Sequence, residues 1–283
     1  MKRNFNPIIE VEDDGLIKHN ARIWSEKKYK LLGGYCNIFT RAMRNSWEQL
    51  VYIDLYSGPG FAKIEESQRI LKASPLISFS IPIPFDTYIF CDENSDYIEA
   101  LKKRVEKEFP DKKVYYIPND CNVSIEEIRS KIPEYSKQNK VLTFCFADPF
   151  ELNLHFGTIK KLTENKLIDI LILQAYYMDA NRNFNNYLNE NNLKIASYLD
   201  DQNWREDFNK KNLNQNDFVL YLAEKYELNM KSIDYLPPKR DRIQIPIINV
   251  PLYYLEFYSK HEKGKDFYQK VQYYADDQLE FGF

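Results

Sequence analysis

The sequence predicts an α/β fold built on a mostly parallel, doubly wound sheet, and three observations predict it. Five apolar segments, Val51–Asp54, Thr87–Cys91, Val114–Ile117, Val141–Ala147 and Ile168–Gln174, alternate with stretches of helical periodicity. The first four close on an acidic residue: Asp54, Asp92, Asp120 and Asp148. The first also breaks into a glycine turn, Gly58-Pro59-Gly60. A parallel strand that ends in such a turn opens a crevice where backbone amides approach a ligand.

The elements follow in order. Residues 1–16 read as an irregular lead-in, acidic around Glu12, Asp13 and Asp14. A helix is expected over about Lys18 to Met43, with Trp24, Leu31, Tyr35, Ile38, Phe39 and Ala42 on one face and Gly33-Gly34 marking a kink or break. Its polar face carries Lys27, Lys28, Lys30 and Arg41, which either faces solvent or covers the crevice and lends it a lysine. After the glycine turn, residues 61–74 read as a polar loop, and Leu76–Ser80 as a short helix stopped by Pro82 and Pro84. Ser95 caps a helix whose buried stripe is Ile98, Leu101, Val105 and Phe109. A helix from about Ser124 to Lys131 follows the third strand, and one near Phe156–Glu164 follows the fourth. Val141–Ala147, almost wholly apolar, is placed centrally in the sheet. Met178–Asn183 reads as a polar loop.

From residue 185 to 238 Asn, Lys and Asp dominate, and three helices are expected: Asn186–Tyr198, Trp204–Asn209 and Asp217–Glu227. Arg242–Ile247 and Leu252–Ser259 then form an antiparallel hairpin around Pro251, and a helix over about Asp266–Gln278 closes the chain. The domain reading is therefore an α/β unit over 1–184 and 239–283 with an N-terminal helical cover, and a helical insertion or cap over 185–238. At 283 residues and 44% hydrophobic content, one domain with an insertion has ample core.

Composition narrows the function. A net charge of −3 leaves no global electrostatic footprint for nucleic acid, so any such contact must come from a local patch. Cys36, Cys91, Cys121 and Cys145 are scattered without a C-x-x-C pair and read as buried thiols in a reducing cytoplasm. His19, His155 and His261 have no ligand spacing with them, so no metal site is expected. Neither a leader peptide nor a membrane-spanning run is expected.

Two ligand types compete for the crevice. A dinucleotide site wants G-x-G-x-x-G, and here Gly58-x-Gly60 has no third glycine in register. Asp54 stands four residues before the first glycine, where it can pair with a cationic amino group. That suits the amino-acid end of S-adenosylmethionine better than a pyrophosphate. Asp92 would then hold the ribose hydroxyls, and Asp120 the adenine amine with Cys121 or Asn122 beside it. The terminal hairpin fits the seven-stranded sheet of a Rossmann-like S-adenosylmethionine-dependent methyltransferase. An NAD-dependent oxidoreductase is disfavoured by the missing glycine and by the lack of a Tyr-x-x-x-Lys or His proton donor.

Several stretches carry a resemblance to a known family. They are Lys27-Lys28 through Tyr35, Tyr52-Ile53-Asp54-Leu55-Tyr56-Ser57-Gly58-Pro59-Gly60, Ser74-Pro75-Leu76-Ile77 and Phe90-Cys91-Asp92. Further on come Asn119-Asp120-Cys121-Asn122, Asp148-Pro149-Phe150, Asn181-Arg182-Asn183, and Leu252-Tyr253-Tyr254-Leu255 running into Ser259-Lys260-His261. In these the chain resembles the three-Cys-motif partner proteins, bacterial and phage proteins classed as methyltransferase-like. The family is named after a separate three-cysteine protein, and the cysteines here are not that motif. The resemblance implies S-adenosylmethionine as cofactor, a three-Cys-motif protein as partner, and a cofactor set of Lys28, Asp54, Ser57, Gly58, Gly60, Asp92, Asp120 and Cys121.

Asp148-Pro149-Phe150 looks like a shortened relative of the D-P-P-[YF] motif of amino methyltransferases acting on adenine or cytosine, lacking the second proline. There the acidic oxygen and a backbone carbonyl orient the amine and the ring stacks on the base, drawn from its stack. This trio is the candidate catalytic set, and its plainer reading is a strand-ending turn. Methyl transfer from an activated sulfonium needs positioning and desolvation more than a proton shuttle. Arg182 and Asn183 are candidate substrate contacts, and Lys239, Arg240 and Arg242 form a second basic cluster. Two functions remain open: a methyltransferase acting on nucleic acid or a partner-presented group, or a cofactor-binding regulatory module of a three-cysteine protein.

Overall fold

A computed structural model describes residues 5–245 and 250–280, with side chains described outside 244–252 and 274–283. The lead-in holds two short strands, β1 (Glu10–Val11) and β2 (His19–Ala21), before helix α1 (Ser25–Met43). The helix expected from Lys18 thus starts seven residues later. Residues 19–21 pair instead with β4 (Phe61–Ile64), which follows β3 (Gln49–Asp54). The expected polar loop 61–74 is a hairpin, because β4 and β5 (Ile70–Lys72) bury Ala62, Ile64 and Leu71 in one apolar cluster and Phe61 in the main core, while Glu65 to Gln68 turn outward. Together these strands make a small sheet of order β1-β5-β4-β2.

α1 is unbroken through Gly33-Gly34. The two glycines serve packing: a Cβ on Gly33 would lie 2.5 Å from Pro7 Cβ and 2.8 Å from Ile77 Cγ2, and one on Gly34 2.8 Å from Val271 Cγ1.

The chain continues through α2 (Ser74–Ser80), β6 (Thr87–Cys91), α3 (Ser95–Glu108), β7 (Lys113–Ile117), α4 (Ile125–Lys131), β8 (Val141–Ala147), α5 (Phe156–Thr163) and β9 (Ile168–Gln174). The first half of the expected polar loop Met178–Asn183 belongs to a π-helical turn, Tyr176–Ala180, that buries Tyr176, Asp179 and Ala180. Four helices follow: α6 (Phe184–Leu188), α7 (Lys194–Leu199), α8 (Trp204–Lys210) and α9 (Gln215–Ser232). The single helix expected over Asn186–Tyr198 is split because Asn189 is extended and ends α6, and Asn192 accepts the Lys194 amide to start α7. The hairpin is β10 (Lys239–Ile245) and β11 (Val250–Tyr258), with Pro251 inside β11, and α10 (Glu262–Glu280) closes the fold. The part of the expected first hairpin strand at 246–247 lies outside the described residues.

The large sheet has the order β10-β11-β9-β8-β3-β6-β7. β7, β6, β3, β8 and β9 run parallel, and β11 lies antiparallel to both β9 and β10. β8 and β3 are central, and nearly every residue in them is buried. The chain winds outward from β3 to β7, then returns to β8 on β3's other side. The sheet therefore reverses direction between β3 and β8, and their carboxyl ends are where such a sheet opens a ligand crevice. Helices α6 to α9 share one apolar core with the sheet through Phe184, Tyr187, Tyr198, Trp204, Phe218 and Tyr226.

Candidate cofactor and active site

β3 delivers Asp54 to this reversal point, and the turn beyond it uses positive φ at Gly58 (+60°) and Gly60 (+90°), a conformation costly for any residue with a Cβ. Gly60 is also needed for closeness: a Cβ there would sit 2.9 Å from Leu101 Cδ1. Asp92, just past β6, braces the turn. One of its oxygens accepts the Gly58 amide at 2.8 Å and the other accepts the Asn94 amide at 3.0 Å, while Asn94 caps α3. Burial pushes the Asp92 carboxyl up, and those backbone bonds oppose the shift.

Asp54 is fully buried. It accepts from Tyr52 Oη at 3.2 Å and from the Tyr56 amide at 3.4 Å. Burial pushes its pKa up to about 7; the Ser74 hydroxyl beside it opposes the shift and the negative charge of Asp148 adds to it. Among the described residues no cation pairs with Asp54.

Asp148, just past β8, forms an ion pair with Lys28 from α1, and the lysine side chain is 8% exposed. Lys28 therefore does come to the crevice, where it meets Asp148. Tyr29, next on α1, hydrogen-bonds His19 Nε2 at 3.3 Å. His19 is held neutral: burial and then the Lys28 charge push its pKa down to about 4, with Asp148 opposing. Its Nδ1 is buried without a hydrogen-bond partner. Tyr253 of β11 meets the Ser25 hydroxyl and feels Asp148. His19 and Tyr29 were not found by sequence reasoning: extending helical periodicity back to Lys18 hid the strand that carries His19, and Tyr29 has no local signal of its own within the Lys27–Tyr35 stretch. Ser74 and Tyr253 sat within quoted motifs without a role.

The loops after β7 and β8 form the other end of the rim. Asp120 accepts both the backbone amide (2.8 Å) and the side-chain amide (3.0 Å) of Asn122. Asn122 in turn donates to the Asn153 carbonyl and accepts from the His155 amide and the Thr158 hydroxyl, clipping the two loops together. They enclose a cavity of about 170 Å³ lined by Leu55, Tyr56, Glu93, Asp120, Cys121, Asn122, Asn153 and His155. The Tyr56 hydroxyl faces the Cys121 thiol there and has no oxygen or nitrogen partner. Burial pushes the Cys121 thiol up to about 12, so it is a neutral, weakly nucleophilic lining group. Ser57 is buried in the turn, its amide donating to the Cys91 carbonyl.

Of the remaining trio, Pro149 is buried and Phe150 is 83% exposed, an unusual exposure for a phenyl ring. Arg182 is exposed on the loop after the π-helical turn. Asn183, expected at a substrate, gives its side-chain amide to Asp179 at 2.8 Å. Asp179 also takes the Leu152 amide and the Tyr187 hydroxyl, so Asn183 belongs to a buried junction joining the helical segment to the rim. Of the second basic cluster, Arg240 is spent in ion pairs with Glu256 and Glu227, whereas Arg242 is exposed.

Among the described residues there is no group of three or more His, Cys, Asp or Glu side chains able to hold a metal, and no helix long and apolar enough to cross a membrane. No protein-family model matches the chain, and no curated protein matches it. Solved structures of similar fold include a protein from Legionella pneumophila (11% identity, TM-score 0.45, 82% of this chain and 84% of that one covered). Another is the O-methyltransferase from Bacillus cereus in complex with SAH (9% identity, TM-score 0.44, 81% of this chain and 80% of that one covered). Likenesses this distant concern the fold alone. The mostly parallel seven-stranded sheet with its reversed β11 defines the class: a Rossmann-like methyltransferase fold.

Proposed function

We propose that the protein is an S-adenosylmethionine-dependent methyltransferase whose acceptor is a base amine of nucleic acid. One observation carries the cofactor: Asp54, a buried carboxylate without a cation, at the glycine turn where the sheet reverses. An ionised carboxylate in that position is costly unless a positive group arrives, and the ammonium of an amino-acid-bearing cofactor supplies one. The ribose then lies against Asp92 and the adenine in the cavity beside Tyr56, Asp120 and Cys121, while Ser57 and the two glycines shape the turn beneath it. When bound, this cofactor supplies an activated methyl group. The chain's own task is to orient the acceptor, keep its nucleophile neutral and exclude water.

Asp148 favours an amine acceptor, since its second carboxyl oxygen has no hydrogen bond among the described residues while Lys28 fixes the first. Phe150, exposed beside it, offers a face on which a base stacks. Arg182 and Arg242 are exposed cations suited to phosphates. The helical segment 185–238 is read as a cap on the α/β unit. A three-Cys-motif protein as the partner that presents the substrate belongs to this proposal, resting on the motif resemblance. The test is transfer of labelled methyl from S-adenosylmethionine to DNA, RNA or total protein, with and without such a partner. Transfer to nucleic acid should fall by about 100-fold in Asp148→Ala, by about 10-fold in Phe150→Ala through lost stacking, and not at all in Glu224→Ala on the exposed side of α9. Cofactor binding without transfer to any acceptor would favour a regulatory module.

A further inference from the structure

His19 Nδ1 is buried at the glycine turn without a hydrogen-bond partner. Its position is built by three elements. β2 pairs with β4 at His19↔Ala62, which sets the imidazole over the glycine turn. Arg104 from α3 ties the preceding segment down, donating to both Asp14 oxygens (2.7 and 2.8 Å), to the Ile17 carbonyl (3.0 Å) and to the Pro59 carbonyl within the turn itself. Tyr29 then holds the far side of the ring through Nε2. As a result Nδ1 bounds the space a Cβ on Gly58 would fill, 3.4 Å from that point.

Hydrogen-bond satisfaction favours one tautomer of His19. The Tyr29 hydroxyl has no other partner among the described residues. If it donates to Nε2, a single group stays unsatisfied, the Nδ1–H. If Nε2–H donated to it, both the phenolic O–H and a bare Nδ1 would be left over. The first tautomer leaves fewer buried polar groups unpaired. His19 is then a neutral donor with a buried N–H beside Gly58, in the turn that follows Asp54, a buried carboxylate that has no cation among the described residues.

We infer that His19 Nδ1–H binds the α-carboxylate of the cofactor's amino-acid end, while Asp54 takes its ammonium. This rests on the S-adenosylmethionine reading and extends it: the turn becomes a two-ended site for a zwitterion, with a fixed donor on the N-terminal strand and a fixed acceptor on β3. It makes β2 part of the binding site, so that the small sheet serves ligand selection as well as packing. Ligands that lack the amino-acid end should be indifferent to His19.

The experiment is calorimetric titration of wild type, His19→Phe and His19→Asn with S-adenosylmethionine and with 5′-methylthioadenosine, which lacks the amino-acid end. His19→Phe should bind S-adenosylmethionine about 10- to 100-fold more weakly, the loss expected for a hydrogen bond to a charged group. Its affinity for methylthioadenosine should stay within about twofold of wild type. His19→Asn, which keeps a donor near Nδ1, should recover part of the loss. In wild type labelled with ¹⁵N-histidine, the Nδ1–H resonance should move downfield on adding S-adenosylmethionine. Equal weakening of both ligands, no weakening of either, or an Nδ1 without a proton would each overturn the assignment. Wild type that binds methylthioadenosine but not S-adenosylmethionine would overturn it too, and wild type that binds neither would overturn the cofactor reading beneath it.

Discussion

At the scale of single residues the crevice is defined by charges that burial has left incomplete. Asp54 has its pKa raised to about 7, above its unfolded value, so it contributes stability at low pH that is lost as pH rises from about 4 through 7. His19, lowered to about 4, contributes in the opposite sense, gaining stability as pH rises toward its unfolded value. Comparing wild type with Asp54→Asn isolates the first effect. Without ligand, the melting temperature of the variant relative to wild type should climb between pH 5 and pH 8, by an amount on the order of 1–3 kcal/mol in stability. A relative stability that stays flat with pH would mean that Asp54 is not the strained group described. The same carboxylate sets a ligand dependence: an ammonium prefers the ionised form, so cofactor affinity should weaken by up to about tenfold per unit as pH drops below 7.

At the scale of elements, the parts of the fold that were legible in the sequence are those with strong local periodicity. The apolar runs of β6 and β8, the buried stripe Ile98, Leu101 and Val105 of α3 and the acidic strand ends need only chain-local chemistry to be recognised, although Asn94 caps α3 in place of the expected Ser95. β2, β4 and β5 were not legible, because short strands of mixed polarity form only against each other. The lead-in gave no sign that residues 19–21 would pair with residues 62–64. Among the candidate residues, Asp54, Asp92, Asp120 and Asp148 are signalled by their regular placement after the first four parallel strands, and Gly58 and Gly60 by the turn that breaks the first. Lys28 meets Asp148 through a contact spanning 120 residues, which no local pattern signals. The bond from Asn183 to Asp179 was not legible, because a polar loop and a buried polar junction share the same composition. The paired glycines of α1 show the same limit from the other side: their spacing suggested a break, yet their use is contact. Gly33→Ala should therefore destabilise the protein by roughly 1–3 kcal/mol, since a Cβ meets Pro7 and Ile77, even though alanine is the better helix former by about 1 kcal/mol. Chemical denaturation measures this directly. A stabilised variant would show that the α1–α2 contact is looser than described.

At the scale of the whole molecule, one apolar core runs from the sheet into the helical segment, so the two are packed as one body. The crevice draws on three layers: β3 and β8 supply Asp54 and Asp148, α1 lies above with Lys28 and Tyr29, and the small sheet closes one side with His19. Occupying a site built from so many parts should stabilise all of them together, by about 2.7 kcal/mol at a ligand concentration 100 times the dissociation constant. The central claim is that this crevice is an S-adenosylmethionine site organised on Asp54. Its most direct test is calorimetric titration of the cofactor into wild type and into Asp54→Ala, with folding of both checked by circular dichroism. Saturable one-to-one binding by wild type, weakened at least about 10-fold in a folded Asp54→Ala, is the result expected. No binding by folded wild type, or equal binding by the two proteins, would contradict it.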